Sequence, residues 1–247
     1  MTAVPLVAAA LATLAGPPQA ASDTLVLNTG SPTGSYQAVG SALERILEAA
    51  TPPIAVEPRN SSGSVENVVA LSRGDADLAI VQSDVAFRAV RGEEPFEGRG
   101  MADLRAIMGL HPEEVLVIAR RGLGVAAAPS IRPGSRILVG EDGSGTLLNA
   151  RNVLAAMGLG MELVDTLMRA PRENLHLLAT DSLDYLFLTA GVSDEFVQEV
   201  ADNDGVVLTL GDDLVRLLQE SHPYYRATTL DLSGRAVRTV QIRAVLL

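Results

Sequence analysis

The chain predicts an α/β protein built from two similar halves, and three observations carry that expectation. Short, almost wholly apolar segments alternate with amphipathic helical segments from Thr24 onward. The same alternation restarts at Arg136. Between the two series, Arg91 to Met101 (RGEEPFEGRGM) is polar and glycine-rich, and two apolar runs follow it. Strands that are apolar on both faces, each followed by a helix, predict a parallel sheet covered on both sides.

The elements follow in order. Thr24–Thr29 is a strand, and Gly30 to Gly34 a loop. Val39, Leu43, Ile46 and Leu47 stand at i, i+4, i+7 and i+8, one face of a helix that Pro52 and Pro53 stop. Ile54–Glu57 is a second strand. Asn60 to Ser64 is a loop, with Ser64 placed to cap a helix over Val65–Ser72 that Gly74 ends. Leu78–Val81 is a third strand, and Gln82-Ser83-Asp84 opens a third helix. Two strands, Leu104–Leu110 and Val115–Ala119, follow the break, and Gly122–Pro133 is a loop. The second series has a strand at Ile137–Gly140, a loop at 141–145 and a helix over Thr146–Met157. After it come a helix at Arg172–Ala179, a strand at Tyr185–Thr189, a helix at Asp194–Ala201, a strand at Val206–Leu210 and a helix at Asp212–Gln219. The last segment, Ala236–Leu246, reads as a strand with no covering helix, which suggests a shortened C-terminus or an edge covered by something else.

Composition excludes much chemistry. The 247 residues carry 30 acidic and 19 basic side chains, a formal charge of −11, which argues against nucleic acid as a partner. There is no cysteine, so disulfides, thiol catalysis and thiolate metal sites are out. Every basic residue is arginine, so a P-loop lysine, a Schiff base and a Ser–Lys dyad are out too. Val4 to Leu14 is an apolar run followed by Gly16-Pro17-Pro18 and Ala20-Ala21-Ser22. It predicts a signal peptide over residues 1–21, though no basic residue precedes it, and hence export to a periplasm. The run is too short to span a bilayer, which takes about 20 apolar residues.

Four loops look alike. Gly30 to Tyr36, Ser61 to Ser64, Gln82 to Asp84 and Gly143 to Thr146 each leave the C-terminal end of a strand and enter a helix N-terminus. Ligands of open α/β sheets bind at strand C-terminal ends. Free amides and the positive helix end favour an anion there, and Ser and Thr hydroxyls add hydrogen bonds. Any one such loop is most simply an ordinary helix cap. Four together predict a cleft that holds a small carboxylate without a lysine or a buried arginine. The nearest bases are Arg59 and Arg151; Arg59 could point into the cleft or out to solvent, and Arg151, a turn and a half into its helix, is expected to face away.

The ordered set TGSPTGSYQAVG, SSGSVENVVALSRGDADLAIVQSD, LRAIMGLHPEEVLVIARRG, VGEDGSGTLLNARNVLAAMGL and DYLFLTAG resembles the TAXI subfamily of TRAP-transporter solute receptors over nearly all of Thr24–Leu247. The resemblance implies a two-domain periplasmic binding protein of the Venus-flytrap kind. It would capture a small organic acid, a glutamate-like amino acid or a dicarboxylate, and deliver it to a membrane permease without catalysis, metal or cofactor. It implies ligand contacts from Thr33 and Tyr36, from Ser62 and Ser64, and from Gln82, Ser83 and Asp84. The second domain would add Ser144, Gly145 and Thr146, with Thr189 and Gly191 near the crossover. Domain one would be 22–110 plus 235–247 and domain two 111–234, hinged at the crossing strands. The terminal helix usual in that family is missing here.

Three rival readings remain. Gly30, Gly34 and Glu57 suggest a dinucleotide-binding enzyme, but the loop lacks the middle glycine of G-x-G-x-x-G. Ser144 at a strand-to-helix turn suggests a hydrolase with His176 or His222, but its surroundings are not G-x-S-x-G. A ligand-sensing domain of the same fold would have the same pocket and a different output. His111-Pro112-Glu113-Glu114 lacks metal-ligand spacing, and Asp202-Asn203-Asp204-Gly205 reads as a turn rather than a calcium loop. Ten acids and one base between Asp181 and Glu220 read first as a solvated face, and second as a permease contact.

Overall fold

The computed structural model describes residues 24–98 and 100–247, so the expected signal peptide lies outside the described residues. The first half has β1 (Leu25–Asn28), α1 (Ser35–Glu48), β2 (Val56–Arg59), α2 (Ser64–Arg73), β3 (Leu78–Gln82) and α3 (Ser83–Arg91). A long strand β4 (Met108–Arg120) leads to β5 (Arg136–Leu138), α4 (Gly145–Ala156), β6 (Asp165–Leu167), α5 (His176–Ala179) and β7 (Tyr185–Ala190). Then come α6 (Asp194–Asp202), β8 (Gly205–Leu208), α7 (Asp212–Ser221), β9 (Arg226–Leu232) and β10 (Arg235–Leu246).

One continuous curled sheet runs β2-β1-β3-β10-β4-β7-β5-β6, with β8 on β4 and β9 on β10. Each half repeats one plan. The first strand lies between the second and the third, all parallel, and a long strand then runs antiparallel beside the third. In the first half that long strand is β10, and in the second it is the C-terminal part of β4. β4 and β10 also pair with each other, so two antiparallel strands link the halves. The expected parallel sheet is therefore confined to three strands on each side.

Burial on both faces explains the apolar strands. In β4, Val115, Val117 and Ala119 enter one core with Ile137, Phe187 and Leu218. The alternate residues Leu116 and Ile118 enter another with Leu138, Leu186 and Val200. The first half has its own pair of cores. Leu27, Val56 and Ile80 pack under α1, and Val68, Val81, Val85 and Phe96 pack under α2 and α3. Leu148 of α4 joins this last cluster, tying the halves together.

Several expectations need correction. The strands expected at Leu104–Leu110 and Val115–Ala119 are one strand that starts at Met108 and passes through Pro112. Pro112 is tolerated because its partner Arg243 sits at a register irregularity in β10. The last strand is not an edge but lies between β3 and β4. The helix expected over Arg172–Ala179 is a single tight turn at Arg172–Asn174 followed by the four-residue α5. Ile46, assigned to the buried face of α1, is 65% exposed. β6 and β9 were not anticipated. The acid-rich stretch from Asp181 is largely neutralised by arginines from elsewhere. Arg120 and Arg136 bind Asp181 and Asp184, and Arg121, Arg172 and Arg238 bind Asp204, Glu199 and Asp212.

Candidate functional site: a cleft between facing helix N-termini

The four similar loops gather at the junction of the halves. The starts of α1, α2 and α4 and the end of β3 form one wall system, and the end of β7 and the turn at 170–172 close it. The space between, counted out to open solvent, is about 830 Å³. The halves touch across it. The N–H groups of Val65 and Glu66 both donate to the Gly143 carbonyl, at 3.0 and 3.2 Å. Asn149 Nδ2 donates to Gln82 Oε1 at 3.0 Å, and the Thr33 hydroxyl donates to Glu173 at 3.2 Å.

Two glycines permit this approach. Gly63 has φ 132°, and a Cβ there would stand 3.3 Å from Ser144 Cα. A Cβ on Gly145 would fall 2.0 Å from Gln82 Oε1. A side chain at Gly63 would be strained by its φ and press on the Ser144 backbone, and one at Gly145 would displace the Gln82 amide.

The helix starts are not equivalent. α1 begins after Gly34 with no side-chain cap and no acid in its first turn. The amides of Ser35 and Tyr36 have no partner among the described residues. α4 also lacks an acid in its first turn. Ser144 Oγ accepts from the Leu147 N–H at 3.1 Å, leaving the Gly145 and Thr146 amides free. α2 differs, because its Val65 and Glu66 amides are taken by Gly143, leaving only the Ser64 amide without a partner among the described residues, and Glu66 accepts from both the backbone N–H and the hydroxyl of Ser62. Two open positive helix ends therefore face the cleft, one from each half.

Of the residues singled out from sequence, Tyr36, Ser62, Ser64, Gln82, Ser144, Gly145, Thr146, Thr189 and Gly191 line the cleft. Thr33, Ser83 and Asp84 do not. Thr33 is held by Glu173 at the rim. Ser83 Oγ accepts from the Arg243 N–H. Asp84 is wholly buried behind the wall. Ser64 is not the cap of α2 but its first residue, and its hydroxyl accepts from the Gln82 N–H at 3.0 Å. Thr146 Oγ1 accepts from the Thr189 N–H, while the buried Thr189 hydroxyl has no partner.

Neither base weighed from sequence enters the cleft. Arg59 pairs with Glu57 at 3.0 Å on the surface, which also occupies the acid of the dinucleotide reading. Arg151 pairs with Glu94. Ser144 Oγ serves its helix cap, and His222 bonds Tyr224, so the described residues show no Ser–His pair for hydrolysis.

Sequence reasoning missed three wall residues of consequence. Arg172 lines the cleft, pairs with Glu199 at 2.8 Å and lies over the Phe196 ring. Glu141 lines it near Glu66 and Glu173, and burial followed by those two charges raises its carboxyl. Glu113, on β4, is 1% exposed and accepts from the Tyr36 hydroxyl at 2.8 Å. Burial pushes its carboxyl up to about 8 against the lowering effect of the tyrosine bond, with Asp84 and Glu114 adding to the rise. No local pattern marks an acid inside an apolar strand as a cleft residue.

Solved structures share the fold. The alkanesulfonate-binding protein SsuA from Xanthomonas axonopodis pv. citri, bound to MOPS, superposes with a TM-score of 0.51 at 17% identity, over 76% of this chain and 61% of that one. The periplasmic aliphatic sulphonate-binding protein SsuA from Escherichia coli gives 0.50 at 13%, over 89% and 61%. The effector-binding domain of QuiR in complex with shikimate gives 0.53 at 12%, over 90% and 86%. The chain thus spans about three fifths of the two sulfonate-binding proteins and most of the effector domain. The fold is that of two-domain periplasmic binding proteins. A family model matches residues 27–233, and on that match the chain belongs to the NMT1-like family.

Proposed function

We propose that this chain is an extracytoplasmic solute receptor, exported to a periplasm by the 1–21 segment. It captures a small organic acid, a glutamate-like amino acid or a dicarboxylate, and hands it to a TRAP-type permease. The observation that carries this reading is the pair of open helix N-termini, α1 and α4, facing one cleft from opposite halves. Each supplies unpartnered amides to an anion at a cost already met by folding. Binding, not turnover, is the chemistry we assign to these groups: Ser144 Oγ serves its helix cap, and no described histidine lines the cleft. The working division is 22–110 with 235–247 against 111–234, hinged on β4 and β10. The contacts proposed for the solute are Tyr36, Gly145, Thr146 and Thr189, with Gln82 and Ser64 holding them in place.

A second reading, a ligand-sensing domain, is favoured by one observation: the effector domain is matched over 86% of its length, the sulfonate receptors over 61%. It shares the cleft and differs in output. The test is mass spectrometry of solute released from gently purified, denatured protein. A small carboxylic acid supports both readings, and a nucleotide or an ester product overturns them. Uptake by cells expressing the chain with and without a TRAP permease separates transport from sensing.

A further inference from the structure

The anion reading leaves Glu113 unexplained. This carboxyl forms part of the cleft wall at 1% exposure. One oxygen accepts from the Tyr36 hydroxyl. The other takes no hydrogen bond from any described residue. No described arginine pairs with it. The groups facing it are Tyr36 from α1, Asp84 from α3 and its own neighbour Glu114 on β4. Arg88 turns away to Asn152 and Tyr224. Glu141 adds a second acid to the wall, while the wall's Arg172 is held by Glu199. The cleft therefore has open donors at the starts of α1 and α4, with the buried acid Glu113 beside the first turn of α1 and Glu141 in the loop that enters α4.

A dicarboxylate satisfies the helix starts but brings no cation to Glu113, whose carboxyl is largely neutral before binding. A molecule carrying a carboxylate and a cationic nitrogen satisfies both. We propose that Glu113, oriented by the Tyr36 hydroxyl, accepts a protonated amine of the solute, so that the receptor selects zwitterions over dicarboxylates and sulfonates. This rests on the solute-receptor reading above and narrows its substrate class. Before binding, burial keeps the Glu113 carboxyl largely protonated near neutral pH. The arriving ammonium stabilises the carboxylate, and the displaced proton goes to solvent. Amine binding then releases about one proton per solute near neutral pH. The Tyr36 hydroxyl, committed to Glu113, acts as a positioning group, while the Tyr36 amide is the part that meets the anion.

The test uses the full chain and isothermal titration with the common L-amino acids, each paired with its 2-oxo analogue, plus glutarate and ethanesulfonate. An amino acid binding at least about tenfold tighter than its 2-oxo analogue is expected. Titration in buffers of different ionisation enthalpy should show proton release. Glu113→Gln should abolish that release and shrink the preference for the amine, and a merely structural role would leave both unchanged. Tyr36→Phe should weaken amino-acid binding while keeping proton release, and it covers the case in which Glu113→Gln does not fold. Equal or tighter binding of an amine-free acid, or proton uptake on binding, overturns this proposal and leaves the receptor reading standing. If no probe binds, the solute recovered from the purified protein decides: an amine-bearing acid supports the proposal, and an amine-free acid overturns it. Recovery of no organic acid at all counts against the receptor reading itself.

Discussion

Beside the β4–β10 pairing and the Leu148 contact, the two halves meet at two polar places built on opposite principles. In front, around the cleft, polar groups are left unspent: the amides of Ser35, Tyr36, Gly145 and Thr146, the Thr189 hydroxyl and one oxygen of Glu113. Behind it, the same interface is a packed polar network. Asn149 donates to Gln82 and to the Gly145 carbonyl, and it accepts from the Tyr225 hydroxyl. Asn152 donates to Tyr225, and Arg88 donates to Asn152 and Tyr224. Spent hydrogen bonds fix how the halves sit, and unspent ones await a solute. Both use polar residues at junctions of helices and strands; the difference lies in whether a partner is present.

The comparison breaks first at the back. Asn149→Ala would leave Gln82 Oε1 without its donor and the Tyr225 hydroxyl without its acceptor. It should cost about 3 kcal/mol or more in urea unfolding, because each unsatisfied buried group costs about 1–3 kcal/mol. A loss as small as that of a surface substitution would show that the network is not what fixes the interface.

Asp84, with Arg88 Nε, is an exception in the spent network. It is fully buried, and neither oxygen makes a well-formed hydrogen bond. Burial pushes it from 3.8 to about 6, although the first amides of α3, Arg88 and Asn149 pull the other way. The sign follows from linkage. A carboxyl whose value is raised by folding stabilises the fold while protonated, and the benefit fades as pH climbs from about 4 through about 6. Glu113, raised from 4.5 to about 8, extends the same trend upward. The protein without solute should therefore be less stable at pH 8 than at pH 5. Asp84→Asn should raise stability at pH 8 by about 1–3 kcal/mol and flatten the slope between pH 4 and 6. Chemical denaturation across that range checks it, and a destabilised Asp84→Asn would mean that the carboxylate has a partner.

How much of this was legible in the sequence depends on how local the cause is. Loops that turn from strand to helix announce themselves through Gly, Ser and Thr, and the cleft walls at 30–36, 61–64 and 143–146 came from that signal. Which helix end stays open was not legible. It depends on the Gly143 carbonyl reaching across to α2, a contact between residues about 80 positions apart. β6 is three residues long and largely exposed, and β9 (RATTLDL) is polar on much of its length, so neither carries an apolar alternation. Glu113 and Arg172 enter the cleft only because distant elements fold around them. Glu113 was read as part of an unremarkable His-Pro-Glu-Glu run, and Arg172 as a helix start.

Smaller effects sharpen the front of the interface. Ser144→Ala removes the cap of α4 and should cost about 1 kcal/mol of stability, with a similar loss in solute affinity, because the Gly145 and Thr146 amides remain. Loss of an ester-cleaving activity in that variant would instead revive the hydrolase reading. Arg59→Gln, at an exposed pair outside the cleft, should leave binding unchanged in calorimetric titration. Abolished binding would mean that the solute reaches much further out than α1 and α4.

The central claim is that the open ends of α1 and α4 hold the solute's anion while the Val65 and Glu66 amides of α2 are already committed to Gly143. Amide proton chemical shifts, recorded before and after addition of the solute recovered from the protein, test it residue by residue. The amides of Ser35, Tyr36, Gly145 and Thr146 should move downfield together, as new hydrogen bonds to an anion require. Those of Val65 and Glu66 should keep the shifts set by the Gly143 carbonyl. Large shifts at Val65 and Glu66, with Gly145 and Thr146 unmoved, would contradict the account.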